Sequence, residues 1–153
     1  VNRRTDVTWS DIYEEERDGL VRVAYLIVGS QQAAEDLVQD TFIRVMGRLS
    51  PEDQPGAYLR RSVINACYSW HRRSWREVQT PPENHQPAYH DEREVEMWDA
   101  LADLPPKRRA VIVMRYYLDM TEAEVADTLG CRIGTVKSTA HRALKDLKRT
   151  LER

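Results

Sequence analysis

Thr121-Glu122-Ala123-Glu124-Val125-Ala126-Asp127-Thr128-Leu129-Gly130-Cys131-Arg132-Ile133-Gly134-Thr135-Val136-Lys137-Ser138 is the stretch on which the reading of this chain turns. Thr121 with Glu124 three residues on is a capping box, and Val125, Ala126 and Leu129 follow at helical spacing. Gly130-Cys131-Arg132 breaks the pattern, which resumes near Gly134 and runs to Leu151. A capped helix of two turns, a glycine turn and a longer helix make a helix-turn-helix. Its expected core is Val125, Ala126, Leu129, Ile133, Val136 and Ala140, with Ala126 small where the two helices cross. Lys137, Ser138, His141 and Arg142 fall on the opposite faces and suit base edges in a major groove, while Thr135 and the amides near Gly134 suit phosphate. The plainer reading of the same residues is a solvated basic helix face.

Upstream, helical spacing appears at Val95, Trp98 and Leu101, stops at Leu104-Pro105-Pro106, and resumes at Ala110, Val111 and Met114. Before that, from Thr80-Pro81-Pro82 to about His90, the chain is polar and without periodicity, as a linker is. The N-terminal part reads as three helices. Thr8 with Asp11 starts the first, which carries Trp9, Ile12, Leu20, Val23, Ala24 and Ile27 up to Gly29. Ser30 caps the second, with Ala34, Leu37, Val38, Thr41, Val45 and Leu49 on one face. The third runs from Pro55 with Leu59, Val63, Ala66 and Trp70 as its stripe. The expected fold is all-α: two small helical domains, 1–77 and 94–153, joined by a flexible linker, 78–93, the second containing the helix-turn-helix.

A length of 153 residues admits one ordinary domain or two small ones sharing little core, and excludes a large enzyme. With 41% hydrophobic and 31% charged residues, the cores must be thin, which favours helices packing in threes. Net charge is only −2, but its distribution is uneven. Residues 58–76 carry 5 basic and no acidic groups, and 105–153 carry 11 and 6, while 1–57 and 77–104 are acidic. A polyanion therefore has two separated places to touch. The longest apolar run, Val23 to Val28, is far short of a membrane span, and the N-terminus is not signal-like, so no membrane insertion and a cytoplasmic location are expected. Cys67 and Cys131, in different halves, argue for a reducing compartment.

Four ordered segments are more particular. Ala34-Glu35-Asp36-Leu37-Val38-Gln39-Asp40-Thr41-Phe42, Ala57-Tyr58-Leu59-Arg60-Arg61 through Asn65 to Arg72-Arg73, Leu104-Pro105-Pro106-Lys107-Arg108, and Gly130-Cys131 with Gly134-Thr135-Val136-Lys137-Ser138 resemble an extracytoplasmic-function sigma factor of the SigE-like subgroup. The resemblance spans roughly Trp9 to Leu147. It implies a subunit of bacterial RNA polymerase whose first domain grips the core enzyme and melts the minus-ten element, and whose second reads the minus-thirty-five element. Implied partners are core RNA polymerase, through its β′ clamp coiled coil and β flap, promoter DNA, and an anti-sigma factor.

Carried over by position, Asp36, Gln39 and Asp40 match the clamp contacts, with Ile43 and Met46 as apolar neighbours. An acidic face suits a basic partner helix and repels phosphate. Minus-ten contacts fall to Tyr58, Arg60, Arg61, Asn65, Arg72, Arg73, Trp75 and Arg76, where aromatic rings alternate with arginines, and to Glu52 and Asp53 in the base-selecting loop. Trp70 reads as core, and Asn65 fits equally a base contact or a structural bond. Two departures stand out: Arg132 occupies a position where a capping Ser or Asp is expected, and Thr139 one where many relatives carry arginine.

Other classes fare worse. No phosphate-binding glycine loop, serine elbow or His-Glu-x-x-His helix is present, so no catalysis and no cofactor are expected. Cys67 and His71 stand four apart, but two ligands do not close a tetrahedral metal site. The remaining alternative is a stand-alone helix-turn-helix regulator, which would bind duplex DNA tightly without a polymerase.

Overall fold

The computed structural model describes residues 6–77 and 92–152, the side chains of 71, 72, 74–77 and 92–95 excepted. The expected linker thus lies almost wholly outside the described residues. Those residues are helical, in the order α1 (Trp9–Val28), α2 (Gln31–Met46), a 3-10 turn (Pro51–Asp53), α3 (Gly56–Glu77), α4 (Glu92–Leu101), α5 (Pro106–Ile112), a π segment (Val113–Tyr117), α6 (Glu122–Leu129) and α7 (Ile133–Leu151).

Local chemistry sets the helix ends. The Thr8 N–H donates to the Asp11 carboxylate (3.0 Å) while Asp11 N–H donates to Thr8 Oγ1 (3.3 Å), and Gly29 closes α1 in the left-handed region at φ 75°. Thr121 and Glu124 exchange the same pair of bonds at 3.1 Å each, and Gly130 closes α6 at φ 66°. At Arg132 there is no side-chain cap, so the first turn of α7 keeps its amide edge open. After α5 the backbone widens: Leu118 N–H reaches the Val113 carbonyl at 3.0 Å, one residue further than an α-helix allows.

α1, α2 and α3 form the first bundle, and α4 to α7 form the second around Val111, Met114, Val125, Val136 and Ala143. The two do not keep separate cores. The C-terminal half of α1 buries Leu20, Val21 and every residue from Val23 to Val28, because α2 and α3 cover one side and α4 and α5 the other. Tyr25 meets Trp98 of α4 at a ring-centroid distance of 5.6 Å. One continuous apolar cluster runs through both bundles, so they share more core than the length alone suggested.

One further expectation changes, and one charged residue is unexpectedly buried. Ile133, assigned to the helix-turn-helix core, is 45% exposed. As the first residue of α7 its side chain tilts back beyond the packed stripe, which is made by Val136, Ala140 and Ala143. Arg109, a charged residue, is 4% exposed, with its guanidinium carbon 4.9 Å from the Trp98 ring centroid. Burial pulls its pKa down to about 10, still leaving it charged at neutral pH.

Candidate nucleic-acid and partner interfaces

The first surface is a face of α2. Ala34, Val38, Thr41, Phe42 and Val45 turn inward, with Phe42 edge-on to Tyr13 at 5.0 Å. The helical period then turns Asp36, Gln39, Asp40, Ile43 and Met46 outward together. Ile43 is 62% and Met46 48% exposed, two apolar side chains on an otherwise polar face. Three polar groups beside two exposed apolar ones make a surface suited to another protein.

A cleft of about 800 Å³ lies between α2 and α3, and Asp40 and Ile43 form part of its wall. Tyr58, Asn65 and Arg73 face them from α3, since positions 58, 65 and 73 fall on one side of a helix. Arg44 and Arg48 also line it. Sequence reasoning missed both because it counted them within an acidic block; the signal was the i, i+4 run Asp40, Arg44, Arg48 along one face. Trp70 packs against the core, and Asn65 is exposed in the cleft. Arg72, Trp75 and Arg76 stand on the last turns of α3, but their side chains lie outside the described residues.

In the loop before α3, Glu52 points to solvent whereas the Asp53 carboxylate accepts from the Ser50 N–H (2.8 Å) and hydroxyl (3.0 Å). These bonds hold its carboxyl below the ordinary carboxylate range. Gln54 then takes a left-handed φ of 52°, which turns the chain into α3.

Arg60 and Arg61 do not join the cleft. Arg61 turns to α6, where its guanidinium pairs with the Asp127 carboxylate at 2.8 Å and donates to the Asp127 carbonyl at 3.1 Å. Arg60 lies within the field of Glu124, whose carboxyl is held low first by the Thr121 N–H and hydroxyl and then by this arginine.

The third surface is α7. Lys137, Ser138, His141 and Arg142 are exposed together, and Thr135 is half-buried at their edge. Ser138 Oγ donates to the Thr135 carbonyl at 3.1 Å. The exposed basic face continues through Lys145, Lys148 and Arg149, further than the sequence reading took it. Beneath α7, an apolar cleft of about 240 Å³ is lined by Met97, Leu101, Tyr116, Tyr117, Leu147 and Leu151. No motif marked it, because its residues come from three separate segments.

Cys67 is fully buried, and desolvation pushes its thiol pKa up, which keeps it protonated. Among the described residues no cluster of three potential metal ligands occurs, and no helix is long and apolar enough to cross a membrane.

The sigma-70 region 2 family model matches residues 12–77, and the sigma-70 region 4 model matches residues 94–147. The RNA polymerase sigma-E factor of Streptomyces coelicolor is 40% identical over 144 residues, 88% of this chain and 81% of that protein. The sigma-E factor of Streptomyces avermitilis is 37% identical over 147 residues, 89% of this chain and 80% of that protein. Among solved structures, the sigma factor RpoE of Bartonella quintana, in complex with the anti-sigma factor NepR, aligns with a TM-score of 0.73 at 25% identity. That alignment covers 94% of this chain and 96% of that one.

Proposed function

Because this chain belongs to the extracytoplasmic-function sigma factors, SigE-like members of the sigma-70 superfamily that bind core RNA polymerase and direct promoter-specific initiation, we propose a division of that work among its surfaces. The 1–77 domain docks on the β′ clamp coiled coil through Asp36, Gln39, Asp40, Ile43 and Met46. The carboxylates meet the basic partner helix while Ile43 and Met46 are covered. The same domain takes the melted minus-ten strand into the cleft between α2 and α3.

The observation that carries this reading is that Asp40 and Ile43 wall the same cleft as Tyr58, Asn65 and Arg73. Docking on the polymerase and capture of an unstacked base are thereby adjacent, so bound polymerase positions the strand at the cleft mouth. Tyr58 offers a ring face, Asn65 an amide for a base edge, and Arg44, Arg48 and Arg73 charge for the backbone. Glu52, exposed beside the capped Asp53, is left to select the base; Asp53 shapes the loop. Arg72, Trp75 and Arg76 extend the strand path.

The 94–153 domain reads the minus-thirty-five duplex with Lys137, Ser138, His141 and Arg142, with Thr135 and the uncapped amides of α7 on phosphate. The apolar cleft under α7 is suited to the β flap. An anti-sigma factor is a further partner, as for the similar RpoE seen with NepR. The chain acts by binding and carries no catalysis of its own, working in the cytoplasm with the polymerase.

Co-elution with bacterial core polymerase, followed by run-off transcription from the gene's own upstream region, tests the reading. A stoichiometric complex and a discrete transcript are expected. Tight duplex binding without any binding to core would favour the stand-alone regulator instead.

A further inference from the structure

Asp40, Thr41 and Arg44 follow one another along α2, and all three line the cleft between α2 and α3. An aspartate one turn before an arginine is the helical spacing at which the two side chains ordinarily pair. Here they stay apart. None of the ion pairs among the described residues joins Asp40 to Arg44, and both residues are exposed. The Arg44 guanidinium instead donates through Nη2 to Thr41 Oγ1 at 3.4 Å.

The chemistry of Thr41 explains the choice. Its side chain is 1% exposed, and its hydroxyl donates to the Leu37 carbonyl at 2.7 Å. A hydroxyl has one proton, so with that proton committed the oxygen meets Arg44 only as an acceptor. Close packing and the bond to Leu37 fix this acceptor in place. The competing contact is weak: an exposed carboxylate offers an arginine little in water, because two mobile side chains must be ordered to meet. A long bond to a fixed oxygen is therefore enough to draw the guanidinium off Asp40. Valine would fill the same buried space with no hydroxyl to satisfy, so the polar atom calls for a role.

We propose that Thr41 is a positioning residue that divides the charges of α2: it holds Arg44 in the cleft and away from Asp40, keeping the carboxylate for core polymerase and the guanidinium for a phosphate of the promoter strand. This inference rests on the assignment of Asp40 to the polymerase and of the cleft to the melted strand. Without the hydroxyl, Arg44 turns to Asp40 and each neutralises the other. One uncharged substitution at a buried site then weakens both contacts, although Thr41 touches neither partner.

Two variants separate positioning from packing. Thr41→Val keeps the buried volume and removes the hydroxyl, whereas Thr41→Ser keeps the hydroxyl and removes a buried methyl. The labelled full chain is titrated with bacterial core polymerase. Each holoenzyme is then titrated, over a range of salt, with a fork probe from the gene's own upstream region, single-stranded across the minus-ten element as placed from the run-off start point. Thr41→Val should bind core about twofold more weakly than wild type, the size of one exposed helical ion pair, and Thr41→Ser should bind like wild type. In an Arg44→Ala background the Thr41→Val effect on core should vanish, since no guanidinium remains to occupy Asp40. On the fork, Thr41→Val should lower the salt slope by about 0.7, one single-strand phosphate contact.

Wild-type core affinity in Thr41→Val, a Thr41→Ser chain that binds core more weakly than Thr41→Val, or an undiminished effect in the Arg44→Ala background overturns the hold on Asp40. An unchanged salt slope in Thr41→Val overturns the hold on the strand contact. Failure of the underlying reading shows separately: full polymerase binding by Asp40→Arg removes the docking assignment, and a wild-type salt slope in Arg44→Ala removes the strand assignment.

Discussion

Arg108 on α5 and Asp146 on α7 pair at 2.5 Å, with both side chains about one-third exposed or less. This bond ties the C-terminal half of the reading helix to the helix beneath it, while Val136 near its start and Ala143 at its middle anchor it in the core. The orientation of Lys137, Ser138, His141 and Arg142 depends on both ties.

Asp146→Ala should therefore lower stability by about 1 kcal/mol, the upper end for a surface pair, because Arg108 loses a short charge-assisted bond. Thermal unfolding should show a drop of a few degrees in Tm. An unchanged Tm would mean that the pair contributes nothing and that packing alone sets the helix.

Asp40→Arg should abolish binding to core polymerase and leave the fold intact, since Asp40 is exposed and its neighbours on α2 bury nothing through it. Ile43→Glu should weaken the same complex at least tenfold, about 1.4 kcal/mol, by placing a charge in the covered part of the interface. Sizing-column co-elution and far-ultraviolet circular dichroism measure the two effects. Wild-type polymerase affinity in Asp40→Arg would remove the docking assignment.

Arg142→Ala should cost about 1 to 3 kcal/mol at one base position of the upstream element, and little on duplexes already altered there. Lys148→Ala, further along the same basic face, should instead weaken all duplexes alike and reduce the salt slope by about one. Fluorescence anisotropy against a panel of single-base variants separates the two patterns.

Acid should loosen the helix starts. Asp11, Asp53 and Glu124 each accept bonds from a capping residue's N–H first and hydroxyl second, and each carboxyl is held below its ordinary value. A depressed folded-state pKa contributes stability that is present above the unfolded value and lost as pH falls through the folded one, so the loss belongs below pH ~4. Urea midpoints at pH 5 and pH 3 should differ less for Glu124→Gln than for wild type. An identical difference would show that the Thr121 cap has no share in the acid response.

Local spacing was a good guide wherever one helix answers to one core. The outward face of α2 from Asp36 to Met46, the capping boxes at Thr8 and Thr121, and the exposed row Lys137 to Arg142 all follow from a period of 3.6 and the chemistry of the first turn. The same logic went astray at Ile133, which keeps the spacing of the stripe but stands at the helix start, where the side chain points past the packed region. It was also silent on Arg44 and Arg48, since block charge averages over faces.

By itself the sequence determined that this protein is helical, where the capped helices α1, α2 and α6 begin, which face of α2 is apolar, and, through four ordered motifs, its family. Periodicity reports that a face must be covered but not by what. That α1 is covered on two sides, that Trp98 lies over Gly29, that Arg109 is buried, and that Arg61 meets Asp127 66 positions away were decided only in the tertiary structure. Each is a contact between segments remote in the chain, set by helix packing that local spacing does not encode.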